Sequence, residues 1–194
     1  MTEPVGVVLA AGLATRMGRP KQLLPYRDGT LLGAVLSAAR ASRLNRICVV
    51  LGAYEAEIRQ SVDFGDSTVV INPAPERGNL SSLQVAVGSV GVAPLVLLMG
   101  DMPGVDAAVI DAHVSAWEGD QAWLRTTRYT DRVGHPLMLS PELVASLDDL
   151  EGAHPLWQLV HDERTRTLTV DSPMPTDIDT PDDYDEALAR DSAE

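Results

Sequence analysis

The sequence predicts one α/β domain across residues 1–194, built on a mainly parallel sheet. Three observations lead there. Short β-branched runs alternate with helical patterns, the arrangement of βα units. One run, Leu95–Met99, is apolar throughout, as expected of a central strand covered on both faces. Turn-forming pairs directly follow strand-like runs, as at Asn72-Pro73 and Gly100-Asp101.

The elements follow in order. Val5–Leu9 reads as the first strand. A helix is expected over Leu31–Ala41, with Leu32, Val35, Leu36 and Ala39 on one face. Ile47–Leu51 is the second strand, Glu55–Val62 the next helix and Thr68–Ile71 the third strand. Leu80–Val87 reads as a helix with Ser81 or Ser82 near its first turn, Pro94–Met99 as a strand and Val105–Trp117 as a helix. The alternation then loosens. Gln121–Arg128 and Pro136–Leu139 read as strands, Leu156–His161 as a short helix and Thr167–Val170 as a last strand. Proline opens a terminal helix at Pro181–Ala189, with Thr180 as its N-cap. The less regular second half is where a substrate pocket would be shaped.

Hydrophobic content of 45% with 22% charged residues is ordinary for a soluble globular protein. No apolar run approaches the roughly 20 residues that span a bilayer. The start, Met1-Thr2-Glu3-Pro4, lacks a basic flank, so the expectation is a cytoplasmic protein with no membrane partner. A net charge of −13 argues against nucleic acid, which calls for a basic face. Charge is also uneven: seven of the fifteen basic residues fall within the first 46 positions, while residues 171–194 carry nine acids and one arginine. That pattern fits an anion-binding end and a cation-binding or solvated end. Cys48, the sole cysteine, sits in an apolar run and reads as a small buried hydrophobe.

Fourteen arginines accompany a single lysine, Lys21. It closes the segment Leu9-Ala10-Ala11-Gly12-Leu13-Ala14-Thr15-Arg16-Met17-Gly18-Arg19-Pro20-Lys21, directly after the first strand. Two glycines and three cations suit a loop that wraps phosphates, and an ammonium among guanidiniums points to a need for a compact charge. The segment is neither a P-loop, which needs Gly-Lys-Ser/Thr, nor a Gly-x-Gly-x-x-Gly dinucleotide fingerprint. Asp101 lies just past the buried strand, where ligands bind in open α/β sheets, and a carboxylate there suits Mg²⁺; a turn or capping aspartate is the plainer alternative. Asp177 and Asp179 flank one residue, so an extended backbone would point both the same way, while helix capping would also account for them. Ser82 and Gly78 border a helix start, and His135, between Gly134 and Pro136, is ill placed for helix packing.

The chain resembles the MobA-like nucleotidyltransferases. It carries Leu9-Ala10-Ala11-Gly12, Arg16-Met17-Gly18, Pro20-Lys21 and Leu23-Leu24-Pro25. Asn72-Pro73 with Gly78 and Ser81-Ser82-Leu83, Gly100-Asp101-Met102-Pro103, Gly134-His135-Pro136 and Asp177-Ile178-Asp179-Thr180-Pro181 follow in the family's order. The resemblance implies a Rossmann-like, glycosyltransferase-A-like three-layer sandwich with a mainly parallel mixed sheet. It implies catalysis by Lys21, Arg16 and Asp101, and a nucleotide held by Leu9, Ala10, Ala11, Gly12, Gly18, Lys21, Asn72, Gly78 and Ser82. Asp101, Asp179 and Asp177 would hold Mg²⁺, with Asp179 a marginal first choice over Asp177 as second ligand. His135 and Asp179 would meet the acceptor.

The Ala-Ala-Gly and Pro-Lys forms look more like the molybdenum cofactor cytidylyltransferase branch than the guanylyl branch. The expected reaction is transfer of a nucleoside monophosphate, CMP from CTP, to the phosphate of molybdenum-bearing molybdopterin, with pyrophosphate released. GTP as donor stays open, as does a sugar phosphate or other phosphorylated small acceptor. A non-catalytic molybdopterin-binding chaperone is the rival from another class. Partners implied are the nucleoside triphosphate, the acceptor, and a molybdoenzyme or its maturation chaperone.

Overall fold

A computed structural model describes residues 2–13, 19–150 and 155–191. At its centre lies β1, Val5–Ala10, buried at every residue. Both edges of β1 are paired in parallel, with β4 (Ile47–Leu51) on one side and β6 (Leu95–Met99) on the other. All three strands meet helices on both faces, which is why their apolar runs lack polar alternation. Among the described residues the sheet has seven strands in the order β5-β4-β1-β6-β8-β7-β9, where β5 is Thr68–Ile71, β7 Leu124–Arg128, β8 Val133–Leu139 and β9 Thr165–Thr169. Strand β8 alone runs against the others. The chain moves outward from β1 through β4 and β5, then crosses back to β6, so a switch point lies between β1 and β6.

Period-two alternation distributes the core between two helix layers. Val8, Ala10, Val49, Leu51, Val96 and Leu98 pack against α1 (Leu31–Ala41), α4 (Ala107–Asp120) and Ile58 of α2 (Glu55–Ser61). Val7, Leu9, Cys48, Val50, Leu95 and Leu97 pack against α3 (Asn79–Val90) and α5 (Pro141–Ala145). The result is the three-layer arrangement that the sequence predicts. A third cluster holds Leu24, Tyr26, Leu31, Ile178 and Ala187. It joins the small hairpin of β2 (Pro25–Tyr26) and β3 (Gly29–Thr30) to the last helix, α7 (Pro181–Asp191). Tyr184 donates its hydroxyl to the Pro25 carbonyl at 2.5 Å, and Arg27 pairs with Asp191 at 2.5 Å.

Several boundaries differ from the sequence expectation, each for a local reason. Helix α4 starts at Ala107 rather than Val105, because Asp106 caps it by accepting from the Val109 amide at 2.9 Å. It runs on to Asp120, and Gln121 terminates it in a left-handed conformation, φ 49°, which removes Gln121 from β7. Thr180 takes the expected capping role, its hydroxyl accepting from the Asp183 amide at 3.2 Å while the Asp183 carboxylate accepts from the Thr180 amide at 2.7 Å. The β2–β3 hairpin and α5 were not anticipated. Among the described residues no helix is long and apolar enough to cross a membrane.

One buried polar contact ties a helix layer to the sheet. His113 of α4 is fully buried, and its Nε2 lies 2.7 Å from Thr127 Oγ1. The Thr127 hydroxyl proton goes to the Pro136 carbonyl at 2.7 Å, so Nε2 must carry the donated proton and Nδ1 is left a buried acceptor without a partner. Burial, then the Arg125 charge, pushes His113 down to about 3. The unfolded chain therefore binds a proton below pH 6.5 that the folded chain refuses until about pH 3. Stability should fall by about 1.4 kcal/mol per pH unit across that window from this residue alone. Denaturant titrations of wild type and His113→Gln at pH 7 and pH 5 would measure it, the variant losing less on acidification.

Candidate active site

Three loops meet at the carboxyl ends of β1 and β6. The first follows β1 through Ala11 and Gly12. Gly12 is exposed, and a Cβ there would touch nothing within 4 Å among the described residues. Ala11 is pressed from behind by Gly52, where any Cβ would come within 2.5 Å of the Ala11 carbonyl oxygen. Glycine is thus required at the end of β4 to let this loop pass. Gln22, buried, donates its side-chain amide to the Ala10 carbonyl at 2.9 Å and pins the loop's root. Neither Gly52 nor Gln22 stood out in the sequence; their signal is the close approach, which depends on the fold. Arg16 and Gly18 lie outside the described residues.

The second loop is Gly100-Asp101-Met102-Pro103. The Gly100 amide donates to the Leu9 carbonyl at 2.9 Å, and a Cβ at 100 would lie 2.9 Å from the Ala10 Cβ. This tight crossing holds Asp101 beside the first loop. The third is the strap 177–179. Ile178 is fully buried in the hairpin cluster and donates its amide to the Asp101 carbonyl at 3.1 Å. With Ile178 turned inward, Asp177 and Asp179 both turn outward, as an extended segment requires.

These loops converge on Lys21. Its ammonium lies 2.5 Å from Asp101 Oδ2 and 2.7 Å from Asp179 Oδ1. Burial alone would lower this ammonium, but the Asp101 and Asp179 carboxylates outweigh it and hold Lys21 above its ordinary range. Oxygens of Asp101, Asp177 and Asp179 lie within 4.8 Å of one another. Asp177 is an exposed residue, yet its carboxyl is pushed up to about 7, by desolvation first, then by Asp101, with Lys21 opposing. Asp101 Oδ1 is buried with no hydrogen-bond partner among the described residues. Three oxygen donors in one cluster, one of them orphaned, suit a hard divalent cation that keeps several waters.

Other predicted residues are placed differently. Leu9 and Ala10 keep their side chains in the core, and their carbonyls are taken by Gly100 and Gln22. Asn72 is buried and its amide donates to Ser81 and Ser82 hydroxyls, each at 2.9 Å, while its oxygen accepts from the Ala74 amide. The side chains of Leu9, Ala10, Asn72 and Ser82 are thus buried and form the wall behind the loops. Gly78 does face open space, at φ 88° with nothing within 4 Å of a would-be Cβ. His135 packs edge-on against Trp157 with ring centroids 5.4 Å apart.

Comparisons with known proteins bear on the same site. The chain is 28% identical over 186 residues, 95% of each protein, to the molybdenum cofactor cytidylyltransferase of Escherichia coli K12. It superposes on the crystal structure of Rv0371c from Mycobacterium tuberculosis H37Rv with a TM-score of 0.88 and 38% identity, covering 97% of this chain and 98% of that one. A complex of Rv0371c with manganese matches at a TM-score of 0.85 and 37% identity, over 97% and 99% of the two chains. The MobA-like NTP transferase domain matches residues 6–168, most of the chain. On that match, and with Lys21 and the aspartates gathered where the fold binds ligands, the chain belongs to the MobA-like NTP transferase family and is a nucleotidyltransferase.

Proposed function

We propose that the protein transfers CMP from CTP to the phosphate of molybdenum-bearing molybdopterin and releases pyrophosphate, with Mg²⁺ as its ion. The observation that carries the chemistry is the buried Lys21 ammonium set between Asp101 and Asp179, 2.5 and 2.7 Å away. The choice of CTP and of a pterin acceptor is supported by the 28% identity across 95% of the Escherichia coli cytidylyltransferase. The acceptor phosphate is already anionic near neutral pH, so no side chain need remove a proton. Its oxygen attacks the α-phosphorus, one P–O bond forms, and the α–β bridge breaks with its electron pair leaving on pyrophosphate.

The residues divide this work. Lys21, with Arg16 beside it in sequence, stabilises charge that builds on the nonbridging oxygens and the leaving group. Ala11, Gly12 and Gly18 let the phosphates approach the loop, and Gly78 leaves room for the nucleoside. Asp101, Asp177 and Asp179 would hold Mg²⁺, which would offset the triphosphate charge and polarise the α-phosphorus. Asp179 and His135 face the acceptor.

A panel of four nucleoside triphosphates against the pterin acceptor, a sugar phosphate and no acceptor tests this, read by pyrophosphate release with Mg²⁺ or Mn²⁺. CTP with the pterin acceptor should exceed every other pair by about tenfold or more, the usual scale of specificity from a few contacts. Preference for GTP, or turnover on the sugar phosphate alone, would overturn the assignment of donor or acceptor. Pterin binding with no turnover under any pair would instead indicate a carrier.

A further inference from the structure

We infer that Thr127 and Tyr129 are positioning residues for the acceptor: their hydroxyls hold two carbonyls left outside the ladder by a bulge in β8, and so fix the His135 ring. The inference rests on the acceptor role proposed for His135 above.

The bulge is explicit in the register. Arg125 pairs with Met138 and Thr127 with Gly134. One residue, Thr126, thus faces three, His135, Pro136 and Leu137. Leu137 keeps a partner in Leu97 of β6, so His135 and Pro136 are the extra pair. Proline has no amide to donate, and neither carbonyl has a ladder partner on that register. Left bare in a half-buried strand, each carbonyl would carry a desolvation cost.

Two side chains, one in β7 and one just past its end, satisfy them. Tyr129 Oη donates to the His135 carbonyl at 2.7 Å, and Thr127 Oγ1 donates to the Pro136 carbonyl at 2.7 Å. Both residues are buried, and His113 fixes the Thr127 hydroxyl from behind. The backbone on both sides of the His135 ring is therefore clamped, and the residue as a whole is of intermediate exposure. The antiparallel pairing of β6 with β8 runs as far as Leu97 with Leu137, so His135 lies beyond it toward the end of β6 that leads to Asp101. Gly134 abuts Met174, three residues before Asp177, so the bulge also leans on the strap that carries the carboxylates. A ring held there through its clamped backbone, with the Trp157 ring packed edge-on to it, is what a fixed recognition element needs.

The test uses Tyr129→Phe and Thr127→Val, with Thr127→Ser retaining the hydroxyl and His135→Ala removing the ring. In the wild type, the His135 ring-proton resonance should be displaced by the edge-on Trp157 ring; in Tyr129→Phe and Thr127→Val it should move back toward the free-histidine position. KM for the pterin acceptor should rise about tenfold in both, as for one lost hydrogen bond, with KM for CTP within about twofold of wild type. Thr127→Ser should restore both readouts. An unmoved His135 resonance in folded variants overturns the positioning role without touching the acceptor assignment. A raised acceptor KM in His135→Ala alone, with both clamp variants kinetically silent, also overturns it. An unchanged KM in His135→Ala removes the acceptor role itself.

Discussion

Asp101→Asn should lower turnover by about a thousandfold or more, roughly 4 kcal/mol of transition-state stabilisation. The substitution keeps the size and shape of the side chain, so Gly100 still crosses Ala10 and the Ile178 amide still reaches the residue 101 carbonyl. What changes is the chemistry of two atoms. Oδ2 no longer pairs with Lys21 as a charge, and an amide is a poorer ligand than the buried Oδ1 it replaces. Steady-state pyrophosphate release measures the rate, and circular dichroism on the same sample shows that the fold persists. A folded variant within tenfold of the wild-type rate would remove Asp101 from the chemistry.

Lys21→Met should cost about a hundredfold to a thousandfold in kcat/KM, the scale of one preorganised electrostatic contact. Lys21→Arg should not rescue it. The slot between Asp101 and Asp179 leaves the residue 7% exposed, enough for a compact ammonium but not for a planar five-donor fork. The same variant has a pH signature. Lys21 is the cation that opposes the upward push on Asp177. Without it, the folded chain retains a carboxyl proton to a still higher pH, while the unfolded chain releases its proton in the ordinary carboxylate range. Folded stability then declines as pH rises between those two values, so the deficit against wild type should be larger at pH 8 than at pH 5. Thermal melts at both values check the sign.

How much of this was legible from residues alone varied with the kind of feature. Strands Ile47–Leu51 and Thr68–Ile71 and helix Leu31–Ala41 have the predicted bounds, because each couples a clear period to a clear stop. The β2–β3 hairpin has two residues per strand, too few for any period to register. Helix α5 spans only Pro141–Ala145, although Ser140 before Pro141 was a cap signal that could have been used. At the site, the meeting of Lys21, Asp101 and the Asp177–Asp179 pair followed from motif order and from strand alternation around Ile178. The inward turn of Asn72 and Ser82 did not, since a polar side chain near a loop reads alike whether it faces solvent or its own backbone. Thr127 and Tyr129 were invisible for a different reason: they matter only through a two-residue offset between strands, which no local pattern encodes.

The dependence of the cleft on α7 has a consequence for when the enzyme is competent. Lys21 meets Asp179 across 158 positions of chain, and Tyr26 meets Asp191 across 165. The strap between those ends hangs on one buried isoleucine and a helix with a single buried residue, Ala187, while the sheet stands on its own larger core. Peeling of that final segment would scatter the carboxylates and leave the central strands paired. Catalytic power therefore reports on a lightly moored part of the molecule, and should be lost on warming before the bulk of the backbone lets go.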